Sequence, residues 1–222
     1  MKIAGYNPNS FVDYPGHIAA VIFFGGCNFD CWFCHNRWLL NVDALMDKDE
    51  ALRRIADKKT FLDAVVLSGG EPTLEDTDDL IALAKSIKDM GLKVKLDTNG
   101  TNSHKLEAML PYVDYVAMDI KAPLSKYRQI TCVDDAELFS IKHSIELLKN
   151  TEVDNEFRTT VIPTLSMEDI MEIAQTLKGC KHYYLQQYVP VEGSDIPPLT
   201  PKTLRSIAEE VNKVMPCEIR GL

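Results

Sequence analysis

Cys27, Cys31 and Cys34 fall within the eight-residue run Cys27-Asn28-Phe29-Asp30-Cys31-Trp32-Phe33-Cys34. Thiolates are soft ligands, and three at this spacing can hold a metal centre that has no fourth thiol nearby. Cys132, Cys180 and Cys217 lie far from the triplet and from one another, and they make no second CxxC. A centre with one open coordination position can bind a substrate there, so the triplet points to chemistry more than to a structural clasp. The bland alternative is a zinc ion whose tetrahedron is completed by a distant residue. His35 does not supply that ligand easily, because adjacent residues seldom reach one small ion together. The spacing favours an iron–sulfur cube with one iron not ligated by protein.

Further polar groups recur along the chain. Ser68-Gly69-Gly70-Glu71-Pro72 lacks the GxxxxGK pattern of a phosphate loop. Its glycines permit close backbone approach to a ligand and its carboxylate can receive an ammonium group, although an ordinary turn explains it equally well. Asp97-Thr98-Asn99-Gly100 could be a turn of good turn formers, and Asp119 with Lys121 a solvated pair. Arg158 and Thr160 could be the exposed face of a strand. His17, His104, His143 and His182 show no metal-binding spacing and are read as structural.

Elements that could gather these groups follow from periodicity. Short β-branched or aromatic runs alternate with helix-period segments, which implies a parallel sheet. Strands are expected at 17–24, 63–68, 92–97, 113–119, 155–162 and 181–187, with a short one at 217–219. Helices are expected at 48–58, 75–90, 102–110, 135–149, after the cap Ser166-Met167-Glu168-Asp169, and at 201–214 behind Thr200-Pro201. Six βα units are too few for an eight-stranded barrel and fit a partial (β/α)6 barrel of TIM type. In such folds function collects at the C-terminal strand ends, where the cysteines, Ser68 to Pro72, Asp97 to Gly100, Asp119 with Lys121, and Arg158 with Thr160 fall in turn. The same layout makes residues 1–222 one domain, with a core over about 17–190 and a closing helix and strand over about 199–222.

Composition narrows the class. With 24 basic against 33 acidic residues, a net charge of −9 argues against tracking a nucleic-acid backbone. The longest apolar run, Ile18 to Phe24, is far short of a membrane span, and the start has no signal-peptide core. Six cysteines without an export signal suggest reduced thiols in the cytoplasm.

CxxxCxxC with Phe33 before its last cysteine, followed by Gly69-Gly70-Glu71-Pro72, resembles the radical S-adenosylmethionine (SAM) superfamily. That resemblance implies a [4Fe–4S] cluster whose open iron is chelated by SAM. It also implies reductive cleavage of SAM to methionine and a 5′-deoxyadenosyl radical. Within the superfamily, Phe23-Phe24-Gly25-Gly26-Cys27, Cys34-His35-Asn36, Leu96-Asp97-Thr98-Asn99-Gly100 and Met118-Asp119-Ile120-Lys121 resemble the activating enzymes of glycyl radical enzymes. The segment Ser10-Phe11-Val12-Asp13-Tyr14-Pro15-Gly16 is most similar to the activator of anaerobic ribonucleoside-triphosphate reductase.

By this likeness Cys27, Cys31 and Cys34 ligate the cluster, Phe33 lies near adenine, and Gly69, Gly70 and Glu71 meet the methionyl ammonium. Asp97, Thr98 and Asp119 resemble a polar site that includes a monovalent cation, Lys121 and Arg158 lie near the methionyl carboxylate, and Asp13 touches a target peptide. The implied partners are a glycyl radical enzyme, from whose backbone glycine hydrogen is abstracted, and an electron donor such as flavodoxin or ferredoxin. The rival with the same chemistry gives the radical to a small molecule, as enzymes of modified-nucleobase biosynthesis do. The rival of another class is a non-catalytic zinc module. Three departures from related activators stand out: Gln187-Tyr188-Val189-Pro190 where some have a histidine, apolar Ile18-Ala19-Ala20 where they have a basic residue, and no ferredoxin-like cysteine set.

Overall fold

The computed structural model describes residues 1–222. Eight strands form one open sheet in chain order: β1 (Ile3–Ser10), β2 (Ala19–Phe24), β3 (Ala64–Gly69), β4 (Lys93–Thr98), β5 (Tyr115–Asp119), β6 (Asp154–Val161), β7 (Tyr183–Gln187) and β8 (Glu218–Arg220). Strands β2 to β8 pair in parallel, while β1 is antiparallel to β2. Between the parallel strands run α1 (Lys48–Ala56), α2 (Thr77–Asp89), α3 (Ser103–Met109), α4 (Tyr127–Thr131) with α5 (Asp135–Asn150), α6 (Met167–Leu177) and α7 (Pro201–Val211). The βα alternation expected from periodicity is therefore present, and the sheet is a partial barrel.

Strand β1 was not expected. Its sequence, Ile-Ala-Gly-Tyr-Asn-Pro-Asn-Ser, reads as turn residues, and Pro8 cannot donate to a ladder. At a sheet edge that loss is tolerated, and the pairing with β2 is interrupted by register shifts between Ile3 and Gly5 and between Asn7 and Ser10. Helix α4 was also missed, because five residues are too few to show a period.

Side chains alternate across each strand, so the sheet has two faces of different character. Outward positions such as Val65, Leu67, Val94, Leu96, Val116, Met118, Phe157 and Leu185 pack under the helices in one apolar core. Each such fully buried side chain stabilises the fold by about 1.5–3 kcal/mol relative to exposure. The inward positions near the strand starts, Ala19, Val21, Ala64 and Val66, form a small cluster with Tyr14. One step further along the same face β3 turns polar, at Ser68.

The helix boundaries have visible causes. Ser166 and Asp169 make the expected capping box on α6, and Thr200 caps α7 with Pro201 at its first position. Asp134 and Glu137 form a second capping box on α5. No helix is long and apolar enough to cross a membrane, and all six cysteines are free.

Candidate active site

The cluster loop leaves β2 at Phe24, where the chain must turn over the sheet end. Gly25 N donates to Lys2 O at 2.9 Å and Gly26 N to Leu39 O at 2.7 Å, and Gly26 takes a left-handed φ of 87°. Beyond it Phe29 N donates to Cys27 Sγ at 3.4 Å, and Cys34 N closes a turn onto Cys31 O at 3.1 Å. Asn28 pins the loop from outside. Its amide donates to Thr101 Oγ1 at 2.9 Å and Glu137 Oε1 at 2.5 Å, and its carbonyl accepts from Asn99 Nδ2 at 2.9 Å. Arg37 adds a clamp, donating to Cys31 O at 2.9 Å and Asp30 Oδ1 at 2.7 Å.

All three cysteines face one cavity of about 470 Å³ at the C-terminal ends of the strands. Burial pushes the Cys27 thiol up to about 11 and the Cys31 thiol up to about 12, so loading a metal centre must displace protons. No three His, Cys, Asp or Glu side chains stand close enough to share a single ion. The donor set is therefore three separated soft ligands on one wall, which suits the corners of an iron–sulfur cube and does not suit tetrahedral zinc.

The glycine motif works first as a junction. A Cβ on Gly69, whose φ is 113°, would lie 2.5 Å from Phe24 N, and one on Gly70 would run into Gly26 O. Gly70 N donates to Phe24 O and Glu71 N to Gly26 O, each at 2.9 Å, locking the end of β3 to the start of the cluster loop. Gly69 and Gly70 also line the cavity. Glu71 does not: its side chain is 1% exposed and turned away from the cavity. Oε1 accepts from Thr73 N at 3.0 Å, Thr73 Oγ1 at 2.6 Å and Thr98 Oγ1 at 2.9 Å, and Oε2 from Asn99 N at 2.6 Å. Burial raises this carboxyl, against those hydrogen bonds. The Glu71 side chain thus serves as a strut between β3 and β4, its oxygens satisfied by Thr73, Thr98 and Asn99.

Opposite the cysteines, inward residues of β4, β5 and β6 form an ion-pair network. Arg158 Nε donates to Asp119 Oδ1 at 2.8 Å, and its guanidinium also lies 3.6 Å from Asp97 Oδ1. Lys121 Nζ donates to Asp119 Oδ2 at 2.9 Å, and Ser68 Oγ to Asp97 Oδ2 at 2.9 Å. Burial alone would raise both carboxyls. Arg158, joined by Lys121 at Asp119 and Lys95 at Asp97, reverses this and holds both below the usual carboxylate range. Burial would likewise lower Lys121, and Asp119 holds it above the ordinary lysine range.

Asp13, Phe33, Asp97, Thr98, Asp119, Lys121 and Arg158 all reach the cavity wall together with the three cysteines. Asn99, Thr160 and Gln186 join them, as does His35, whose Nε2 is 3.0 Å from Val189 O. Sequence reading missed Lys95, which is 1% exposed and 2.7 Å from Asp97 Oδ1. It also missed Glu156, fully buried and bound by both terminal nitrogens of Arg220 and by Tyr115 Oη. Both lie two residues before a recognised site residue on the same strand, so the two-residue period carried the signal.

Residues 21–177 match the Radical SAM superfamily. A Methanocaldococcus jannaschii protein, provisionally named a glycyl-radical enzyme activating enzyme, is 39% identical over 200 residues, which covers 87% of this chain and 82% of that one. The pyruvate formate-lyase-activating enzyme of Clostridium pasteurianum is 29% identical over 198 residues, covering 85% and 81%. Among solved structures, a radical SAM methyltransferase from Sphaerobacter thermophilus superposes with a TM-score of 0.74 at 16% identity, over 96% of this chain and 68% of that one, a likeness of fold. The chain belongs to the radical SAM superfamily, and its chemistry is that of a [4Fe–4S] cluster with S-adenosylmethionine.

Proposed function

We propose that this chain activates a glycyl radical enzyme, and that its partner is an anaerobic ribonucleoside-triphosphate reductase. The observation that carries the proposal is the lip of the cavity. Asp13 lines it, and the adjoining Phe11 and Val12 are 71% and 86% exposed. Exposed apolar side chains beside a polar reaction cavity suit a protein segment more than a small metabolite. The names of the relatives from M. jannaschii and C. pasteurianum support protein activation. The likeness of Ser10 to Gly16 supports the reductase as partner.

A [4Fe–4S] cluster and SAM held here would supply one-electron reductive cleavage of the cofactor's carbon–sulfur bond, the electron coming from an external donor; methionine would be released and the 5′-deoxyadenosyl carbon would take a hydrogen atom from the partner's glycine Cα, giving 5′-deoxyadenosine and a glycyl radical. The chain's residues position these parts. Cys27, Cys31 and Cys34 hold the cluster as thiolates, and the Phe33 backbone borders the adenine. Backbone groups at Gly69 and Gly70 meet the methionyl ammonium, with Glu71 fixing their loop from behind. Lys121 and Arg158, held in place by Asp119, offer their remaining donors to the methionyl carboxylate, and Asp13 contacts the incoming peptide. The electron comes from a flavodoxin or ferredoxin.

The test is to incubate the anaerobically reconstituted protein with SAM, reductant and purified anaerobic ribonucleotide reductase, and to record electron-spin resonance. A glycyl doublet growing in the reductase, matched by deoxyadenosine, is expected. Persistent absence of the doublet, with deoxyadenosine formed only when a small substrate is added, overturns the proposal.

A further inference from the structure

Lys95 occupies the middle of β4, facing into the barrel below the cavity floor, and is 1% exposed. A buried ammonium group is costly unless opposite charge and hydrogen-bond acceptors surround it. Here Nζ lies 2.7 Å from Asp97 Oδ1 and donates to the Asp13 backbone carbonyl at 2.5 Å. One side chain therefore touches both a carboxylate of the cofactor wall and the loop at the cavity lip.

We propose that the Lys95 ammonium is a built-in cation: it takes the place of the monovalent ion that the family resemblance assigns to Asp97, Thr98 and Asp119. The inference rests on the cofactor placement proposed above and not on the identity of the protein partner.

The residues present do not fit an added ion. Both oxygens of Asp119 are engaged, one by Arg158 and the other by Lys121. Asp97 Oδ2 accepts from Ser68, and Thr98 Oγ1 is committed to Glu71. Asp97 Oδ1 is buried and receives no aligned hydrogen bond, which would make it the natural ligand for an ion. What faces it is the Lys95 charge, with Arg158 behind. Charge argues the same way. Lys95, Lys121, Arg158 and Arg220 interleave with only three carboxylates, Asp97, Asp119 and Glu156, so another cation would enter a cluster already positive.

An ammonium group is a compact point charge with three donors, so it can stand where a potassium ion would and also fix a direction. Lys121 and Arg158 also reach the cavity wall, where their remaining N–H groups can meet a ligand carboxylate while Asp119 keeps them. Lys95 does not reach that wall, and it stays on Asp97. It is a positioning residue, tying Asp97 to the Asp13 loop.

The decisive measurement is SAM affinity, read by calorimetry on the cluster-loaded protein at fixed ionic strength. One buffer contains potassium, and the other only tetramethylammonium. The unaltered protein should bind within about twofold in the two buffers, and Lys95→Arg should behave alike. Lys95→Met should bind at least about tenfold more weakly in tetramethylammonium and recover most of this in potassium, a difference of about 1.4 kcal/mol. In parallel, thallium-205 relaxation, which needs no variant, should show no saturable thallium site in the unaltered protein. A tenfold potassium dependence or a saturable thallium site in the unaltered protein overturns the inference, as does a Lys95→Met protein indifferent to potassium. Failure to bind SAM in any buffer overturns the cofactor placement and this inference with it.

Discussion

Replacing Gly70 by alanine asks whether the end of β3 and the start of the cluster loop must touch for the site to exist. The new Cβ would collide with Gly26 O and lie 2.7 Å from Gly26 C, both of them backbone atoms. A carbon–oxygen contact settles near about 3.3 Å, so the Gly26 carbonyl must retreat by roughly an ångström or more. That retreat breaks the bond from Glu71 N to Gly26 O. Overpacking costs about 1–3 kcal/mol, and an orphaned buried backbone group costs about as much again. For a chain of 222 residues each kcal/mol lowers Tm by about 2–4 °C, so a loss of about 2–6 kcal/mol should lower the melting point of the cluster-free protein by roughly 4–24 °C. Cys27 is bonded to Gly26, and a shift of about 1 Å in a reacting assembly costs about a hundredfold in rate. Circular dichroism melts, iron and sulfide content after anaerobic reconstitution, and deoxyadenosine formation read the three effects. Gly5→Ala is the control, since its Cβ would meet nothing closer than 3.5 Å, and it should stay within about 1 kcal/mol. If Gly70→Ala melts like Gly5→Ala and loads a full cluster, the junction is not what holds the loop.

Three more outcomes follow from the same geometry. Cys31→Ala should fail to load a four-iron cluster, because only two thiolates remain; full iron content with normal SAM cleavage would contradict this. Asp119→Ala should leave iron content near normal and lower SAM cleavage by about tenfold or more, since Arg158 and Lys121 lose the anion that aims them; unchanged turnover would remove Asp119 from the site. In the cluster-free protein, Cys31 should react with iodoacetamide at pH 8 at least about a hundredfold more slowly than exposed Cys132, because a thiol pushed up to about 12 carries little thiolate. Its rate should climb about tenfold per pH unit, and equal reactivity of the two would refute the burial argument.

The parallel strands and their helices were legible because both burial and local chemistry declared them. β3, Ala-Val-Val-Leu-Ser-Gly, is an apolar run, as a strand covered by helices has to be, and it ends at Gly69-Gly70. β1 was not legible, since an edge strand needs neither continuous hydrophobicity nor every backbone donor, and its Asn-Pro-Asn stretch imitates a turn. The second capping box, at Asp134 and Glu137, was readable in principle but fell in a stretch without a strong apolar period. It matters to the site, because Glu137 also accepts from Asn28 and so couples the N-terminus of α5 to the cluster loop.

At the site itself residue type could be read from the sequence and side-chain direction could not. Gly69, Gly70 and Glu71 are adjacent, yet the two glycines line the cavity while Glu71 turns away to Thr73, Thr98 and Asn99. Which way a loop carboxylate points is settled by partners 2 to 28 residues distant, and no local pattern encodes them. Lys95 is the opposite case. Its direction follows from Asp97 by strand period, but a lysine inside an apolar strand looks like an exposed edge until its two acceptors are located in space. A buried charge with fully assigned partners is expensive to maintain, and here both partners belong to the cofactor wall and its lip. That placement is why the same side chain, whose direction the strand period gives but whose partners it does not, stands where an external cation would.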